Sequence, residues 1–255
     1  MVTAQAIRLS SAPGPKRGEM REIVMNTRSE KDSLKKIARI TGALILVMTV
    51  IAPFGMLYVP SALVVSGDAV ATASNVVASK GIFRLAIASD ALVFLIEIVL
   101  VVLLYVLLKP VDNTLALIAA FARLAMTVVQ GVNLLTYFTT LLLTSGADYL
   151  TAFEPGQLDA LVYLFLNLHE QVALIWGLFF SLHLLFLGYL VYKSGYIPRL
   201  VGILLLVASL SYLIQGFGSI LLPGYEEAFA TIGFLSMVEL ALPLWLVIKG
   251  VRDKS

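Results

Sequence analysis

Long apolar stretches alternate with short polar turns along most of the chain, a pattern typical of membrane-spanning helices. A bilayer core about 30 Å thick needs about 20 apolar residues per helix, and six segments reach that length. The predicted spans are 38–59, 82–108, 115–143, 171–192, 200–225 and 228–248. Between the fourth and fifth, Gly195 suits a helix end and Pro198 a helix start. The pattern therefore predicts an all-α fold, a polytopic transmembrane bundle of six helices.

Composition supports lipid as the solvent of this chain. Of its 255 residues, 60% are hydrophobic and 13% are charged, whereas soluble domains carry about 25% charged residues. The net charge of +2 is too small to indicate binding to nucleic acid. The absence of cysteine excludes disulfides and thiolate metal sites.

The distribution of basic residues predicts the orientation of the bundle. Half of the 18 Lys and Arg residues lie within residues 1–39, before or at the very start of the first span, and Lys109, Lys193, Arg199 and Lys249 flank alternate turns or the C-terminal end. Basic residues are retained on the cytoplasmic side of membranes. We therefore expect a multi-pass protein of the cell (cytoplasmic) membrane with both termini in the cytoplasm.

The polar N-terminal part is predicted to stand apart from the membrane domain. Residues 1–34 are mixed in charge and lack the apolar core of a signal peptide, so we expect a disordered cytoplasmic tail followed by a membrane domain over 35–255. Met20 and Met25 are alternative starts to Met1, since Met25 opens a compact basic lead into the first span. Further on, Asp68 is a candidate cap for a short helix lying on the outer membrane surface.

Several motifs resemble a known membrane family. They include Gly67-Asp68-Ala69, Phe83-Arg84-Leu85 with Asp90, Leu104 to Val111, Ser145 to Leu150, Leu166 to His169, and above all Leu187 to Arg199. From Lys35 to Lys249 the chain is similar to the bacterial and archaeal family labelled domain of unknown function 4386. The resemblance implies a six-helix membrane domain and supplies no catalytic residues.

Four ionisable residues on four different helices are predicted to share one layer near the bilayer centre. Counting about 1.5 Å per residue from the basic helix ends places Glu97, Arg123, His183 and Glu239 about 12–16 Å deep. Charges inside a membrane are expensive and usually face the bundle interior. We expect Arg123 to pair with Glu97, Glu239 or both.

A second set of polar residues is predicted nearer the outer surface. By the same count, an outer polar layer lies about 22–27 Å deep, and His169 and Glu170 lie about 35 Å deep, at an outer mouth. The outer polar layer consists of Asp90, Gln130, Asn133 and Gln215.

The central layer has two interpretations: a buried ion pair that fixes helix register, or a site that binds or conducts a small solute or proton, with Arg123 holding an anionic group. The first functional hypothesis is accordingly a carrier, and the alternatives are a membrane-embedded enzyme for a lipid-like substrate and a non-catalytic assembly or sensing subunit. The sequence favours a non-enzymatic role, because it contains no recognisable nucleophile–base pair or metal-ligand set. We expect no cofactor and no bound metal. Membrane lipid is the expected partner, and a second copy of the chain or another membrane protein remains open.

Overall fold

The computed structural model describes residues 17–251, and every regular element in that part of the chain is helical. Six helical segments in this range are long and apolar enough to cross a membrane, which confirms the predicted polytopic bundle. The spans, first to sixth, are Asp32–Leu63, Lys80–Leu108, Asn113–Leu143, Pro155–Ser194, Arg199–Leu221 and Thr231–Ile248.

Two of the spans are not regular α-helices throughout. The first continues past Pro53 as a π-helical turn, and the sixth contains a 3₁₀ segment. Proline lacks the donor for the carbonyl four residues earlier and crowds that carbonyl, and for Pro60 this is the carbonyl of Met56, within the π-helical turn. The elements in chain order are Arg17–Pro53 (α), Phe54–Tyr58 (π), Val59–Leu63, Ala69–Ala78, Lys80–Leu108 and Asn113–Leu143 (α), Asp148–Ala152 (3₁₀), Pro155–Ser194, Arg199–Leu221 and Glu226–Gly233 (α), Phe234–Leu240 (3₁₀) and Ala241–Ile248 (α).

Local sequence signals fix the helix ends. The carboxylates of Asp68 and Asp112 each accept a hydrogen bond from the backbone three residues later, at 2.9 and 3.0 Å, and so cap their helices. Glu154 forms a reciprocal capping box with Gln157 at the start of the fourth span. Gly195 ends that span at a φ of +74°, a conformation that glycine adopts without strain.

The N-terminal part differs from its prediction. The first helix begins at Arg17, so residues 17–34 are helical rather than a disordered tail, and residues 1–16 of that predicted tail lie outside the described residues. Glu, Arg, Met and Lys are frequent in 17–36 and favour helix. Joined directly to a membrane span, such a segment extends an existing helix and needs no new nucleus.

Burial is inverted relative to a soluble protein. On the second span, Asp90 and Glu97 are almost fully buried, whereas Leu85 and Leu95 are 61% and 64% exposed. Large apolar side chains on the outside and carboxylates on the inside suit a lipid solvent. The bundle therefore presents its polar chemistry to its own interior.

Close helix contacts depend on glycine. A Cβ added at Gly202 would lie 2.6 Å from the backbone nitrogen of Tyr192, so the fourth and fifth spans touch backbone to backbone. Gly42 on the first span likewise lies directly against Leu246 on the sixth. The first and sixth spans are thus joined near Gly42.

The basic turns and the last described residues gather at one end of the bundle, here called the basic end. The hydroxyl of Tyr196 donates a hydrogen bond to the carbonyl of Leu107 at 2.6 Å, which ties the fourth–fifth turn to the second span. Val251 packs into the same apolar cluster as Ala38 and Ile197. The start of the first span and the end of the sixth therefore lie on the same side of the bundle as Lys109 and Lys193.

Candidate functional site

The structure brings three of the four central residues into direct contact. The guanidinium Nε of Arg123 lies 2.6 Å from Oε2 of Glu97, and its Nη1 lies 3.0 Å from Nε2 of His183. The three side chains come from the third, second and fourth spans, and each is at most 5% exposed. Of the two predicted partners of Arg123, Glu97 forms the ion pair.

The hydrogen bonds of His183 define its protonation. A guanidinium can only donate, so Nε2 of His183 accepts from Arg123. Its Nδ1 lies 2.8 Å from the carbonyl of Ala119, to which it donates. His183 is therefore a neutral imidazole that carries its proton on Nδ1, and it adds no charge to the cluster.

Glu239 lies on the 3₁₀ segment of the sixth span and is held differently. The hydroxyl of Tyr212 donates to its Oε1 at 3.3 Å, and its buried Oε2 has no hydrogen-bond partner among residues 17–251. No ion pair joins Glu239 to a Lys or Arg in the described part of the chain. Oε2 of Glu239 is therefore left without a hydrogen-bond donor or an ion-pair partner from these residues.

A cavity of about 310 Å³ separates the first span from the 3₁₀ segment of the sixth. Both Glu97 and Glu239 line it, whereas Arg123 does not. Leu57 and Met237 also line it and are 65% and 60% exposed on the outside of the bundle. The cavity thus opens sideways, towards the surface that lipid would cover.

Aromatic rings form one wall of the cavity. Trp176 and Phe180 stack with ring centroids 5.2 Å apart, and Tyr212 meets them edge-on, at 5.9 and 5.0 Å. Trp176, Phe180 and His183 share a helix face because they are four and three residues apart. The ring of Tyr212 extends this wall to Glu239.

Methionine supplies much of the remaining wall. Every methionine after Met25 lines the cavity, namely Met48, Met56, Met126 and Met237. Methionine side chains are flexible and polarisable, and they are frequent at surfaces that adapt to varied ligands. The wall can therefore adapt its shape to apolar molecules of different outlines.

The outer polar layer is divided in the structure. Asn133 donates to Oε1 of Gln130 at 3.0 Å and to the carbonyl of His169 at 2.9 Å. The imidazole of His169 contacts Thr136 through Nδ1 at 2.9 Å and stacks on Tyr137 with centroids 3.7 Å apart. The count of residues along the helix predicted His169 at an outer mouth, whereas in the structure it lies beside the Gln130–Asn133 pair inside the bundle.

The other members lie apart from this group. Asp90 is buried against the π-helical turn of the first span, where its carboxylate rests on Gly55, and its Oδ1 has no hydrogen-bond partner within the described residues. Gln215 is half-buried on the fifth span beside Gly233 of the sixth. Glu170 is exposed.

The aromatic wall is the part of the site that sequence reasoning missed. Trp176 and Tyr212 were open to interpretation as packing or interfacial residues, because aromatic side chains are common in both roles. The spacing of Trp176, Phe180 and His183 on one helix face was the available signal.

In residues 17–251, no group of three or more His, Asp or Glu side chains is placed to hold a metal ion.

Comparison with known proteins adds family membership and no activity. A family model described as "Domain of unknown function (DUF4386)" matches residues 40–250. A relative from Archaeoglobus fulgidus, named "Uncharacterized protein", is 31% identical over 159 residues, which cover 62% of this chain and 80% of the relative. No solved structure matches the chain.

Proposed function

This chain belongs to the DUF4386 family, whose function is unknown, and we propose that it binds a small molecule. The binding site is the cavity between the first span and the 3₁₀ segment of the sixth, here called the central cavity. The molecule reaches the cavity sideways, from the lipid phase. The observation that carries the proposal is the laterally open cavity of about 310 Å³ with a buried, unpartnered carboxylate oxygen of Glu239 on its wall. Pockets of this size with few polar groups in an apolar wall are typical of small-molecule sites.

The polar groups of the wall favour binding or carriage over a chemical step. The hydroxyl of Thr127 donates to the carbonyl of Arg123 at 2.9 Å, and that of Thr49 donates to Ile45 at 2.8 Å. The hydroxyl of Tyr212 donates to Glu239. Both threonine hydroxyls on the wall thus donate to backbone carbonyls, which do not act as bases, so neither is activated as a nucleophile.

Filling the cavity tests the proposal. Ala52 lines the cavity, and Ala52→Trp places an indole inside it. Ala43 lies on the same helix but is exposed and outside the cavity, so Ala43→Trp is the matched control. Native mass spectrometry of the purified proteins should show a retained small molecule with the native chain and Ala43→Trp, and none with Ala52→Trp. Equal retention by both variants, or no retained molecule with any of them, would contradict the proposal.

We further propose that the membrane is the cytoplasmic membrane and that the basic end of the bundle faces the cytoplasm. Lys109, Lys193, Arg199 and Lys249 support this orientation, because basic residues that flank membrane spans are usually kept on the cytoplasmic side. The chain has no cysteine, so single cysteines can be labelled without background. In intact cells, an impermeant thiol reagent should label Asp148→Cys and leave Asp112→Cys unlabelled. The reverse result would invert the topology.

A further inference from the structure

We propose that the ligand of the central cavity is an organic cation, an ammonium or similar group carried on an apolar body. This inference rests on the proposed function and names the chemical class of its ligand. Three features support it: the charge balance of the buried cluster, the aromatic wall and the adaptable apolar remainder of the cavity.

The buried cluster contains more carboxylate than cation. Arg123 is matched by Glu97 at 2.6 Å, and His183 is neutral because it accepts from Arg123 and donates to Ala119. Glu239 forms no ion pair of its own in the described residues, and the Arg123 charge that acts on it is already matched by Glu97. An ionised carboxylate in an apolar interior requires a counter-charge. A cation in the cavity would supply it.

The aromatic wall offers a second attraction for the same charge. The faces of Trp, Tyr and Phe rings attract ammonium groups, and aromatic cages beside carboxylates are a recurrent way to bind them. Trp176 and Tyr212 line the cavity next to Glu239, with Tyr212 hydrogen-bonded to that carboxylate. The ring of Phe180 already stacks with Trp176 and His183 and lies under the guanidinium of Arg123, so it supports the wall and leaves the attraction to the other two rings. A quaternary or alkylated ammonium, which has few donors of its own, suits such a wall better than a strongly hydrated metal ion does.

The rest of the cavity defines the body of the ligand. The four methionine side chains and the apolar residues around them provide no fixed polar contact, so the body is expected to be apolar and variable in shape. The lateral opening beside Leu57 and Met237 gives such a molecule a route from the lipid.

An anionic ligand fits the site poorly. Arg123 does not line the cavity, and its guanidinium is already directed at Glu97 and His183. An anion in the cavity would meet the carboxylates of Glu97 and Glu239 without a free cation opposite. The structure thus disfavours the hypothesis, raised by the sequence, that Arg123 holds an anionic group.

A pair of isosteric compounds isolates the effect of charge. Benzyltrimethylammonium and neopentylbenzene have the same shape and differ in whether nitrogen or carbon is at the branch point. Trp176 is one of two tryptophans, so Trp245→Phe leaves a single fluorophore on the cavity wall. In a nonionic detergent, we expect the cation to shift the fluorescence of Trp176 with an affinity at least about tenfold above that of the neutral isostere.

Charge variants connect this preference to Glu239. Glu239→Gln should abolish the preference, and Glu239→Asp should retain it. Glu170→Gln removes an exposed carboxylate from the fourth span and should leave the preference unchanged. If Glu239→Gln does not fold, the ratio between the two compounds in the native cavity still decides the question.

The outcomes separate the two proposals. Equal affinity for the two compounds, tighter binding of benzenesulfonate, or a preference that survives Glu239→Gln would overturn the cation assignment and leave the binding function standing. If none of the compounds affects Trp176 and no molecule is retained in mass spectrometry, the binding function itself fails.

Discussion

The backbone of Gly55 lies directly against the carboxylate of Asp90, at the π-helical turn where the first span meets the second. A Cβ at position 55 would clash with Oδ1 of Asp90. The turn after Pro53 and the absence of a side chain at Gly55 therefore allow a buried carboxylate to fit between two spans.

Gly55→Ala is expected to destabilise the protein by about 1–3 kcal/mol, the usual range for overpacking a filled interior. Thermal unfolding in detergent would measure the loss. Gly131→Ala is the matched control, because a Cβ there meets open space within a helix, and it should be neutral or slightly stabilising. Asp90→Ala should relieve the clash, so a double variant as unstable as Gly55→Ala alone would contradict this explanation.

Arg123→Ala is expected to impair folding because it leaves Glu97 buried without its cation, at about 3–5 kcal/mol. The fraction of monodisperse protein after size-exclusion chromatography would report the effect. Replacing both partners, as in Arg123→Met with Glu97→Gln, should restore much of the loss, since no charge is then stranded. A double variant that is worse than Arg123→Ala would show that the pair has no coupling.

His183 is expected to be a neutral imidazole with the proton on Nδ1 at neutral pH, since Arg123 occupies Nε2 as a donor. The chain has only two histidines, so His169→Gln leaves a single ¹⁵N-labelled imidazole for solid-state NMR. The ¹⁵N shifts should identify Nδ1 as protonated and Nε2 as bare. Two protonated nitrogens would refute the arrangement and would add a positive charge to the cluster.

Tyr196 lies in the turn between the fourth and fifth spans, and burial raises the pKa of its hydroxyl above the usual value of about 10. Its hydrogen bond to Leu107 contributes about 1 kcal/mol, which Tyr196→Phe should remove at neutral pH. The protonated phenol is favoured in the folded state. Its contribution is therefore complete below about pH 10 and declines as the pH rises above that value, because only the unfolded chain then ionises readily.

Unfolding measured from pH 8 to 11 should consequently show a smaller loss of stability for Tyr196→Phe than for the native chain. Tyr58→Phe, at an exposed position, should follow the native profile. Parallel profiles for the native chain and Tyr196→Phe would exclude a role for this hydroxyl in alkaline unfolding.

The spans could be predicted because their signals are local. Hydropathy predicts their number, and Asp68 and Gly195 mark helix ends that the structure confirms. Caps and apolar runs act within a few residues, so they survive in the sequence independently of the packing between helices.

The pairing of the polar residues could be predicted only in part. Counting depth along straight helices brought Glu97, Arg123 and His183 to one level, but it could not tell whether Glu97 or Glu239 would face Arg123, since that depends on helix rotation. The same count put His169 well outside Asn133, whereas the two are in contact. Tilt and axial shift of a long helix are set by its neighbours, and these are not visible in one segment.

The fourth span is a single helix of 40 residues, about 60 Å long and twice the thickness of the hydrocarbon core. Its proline is in the first turn, so its interior contains no proline kink. At one end, the hydroxyl of Tyr163 accepts a hydrogen bond from Gly67 in the loop that follows the first span. Further along the same helix, Phe180 forms part of the cavity wall. We therefore expect a displacement of that loop to reach the bundle interior as a change in the tilt of this helix.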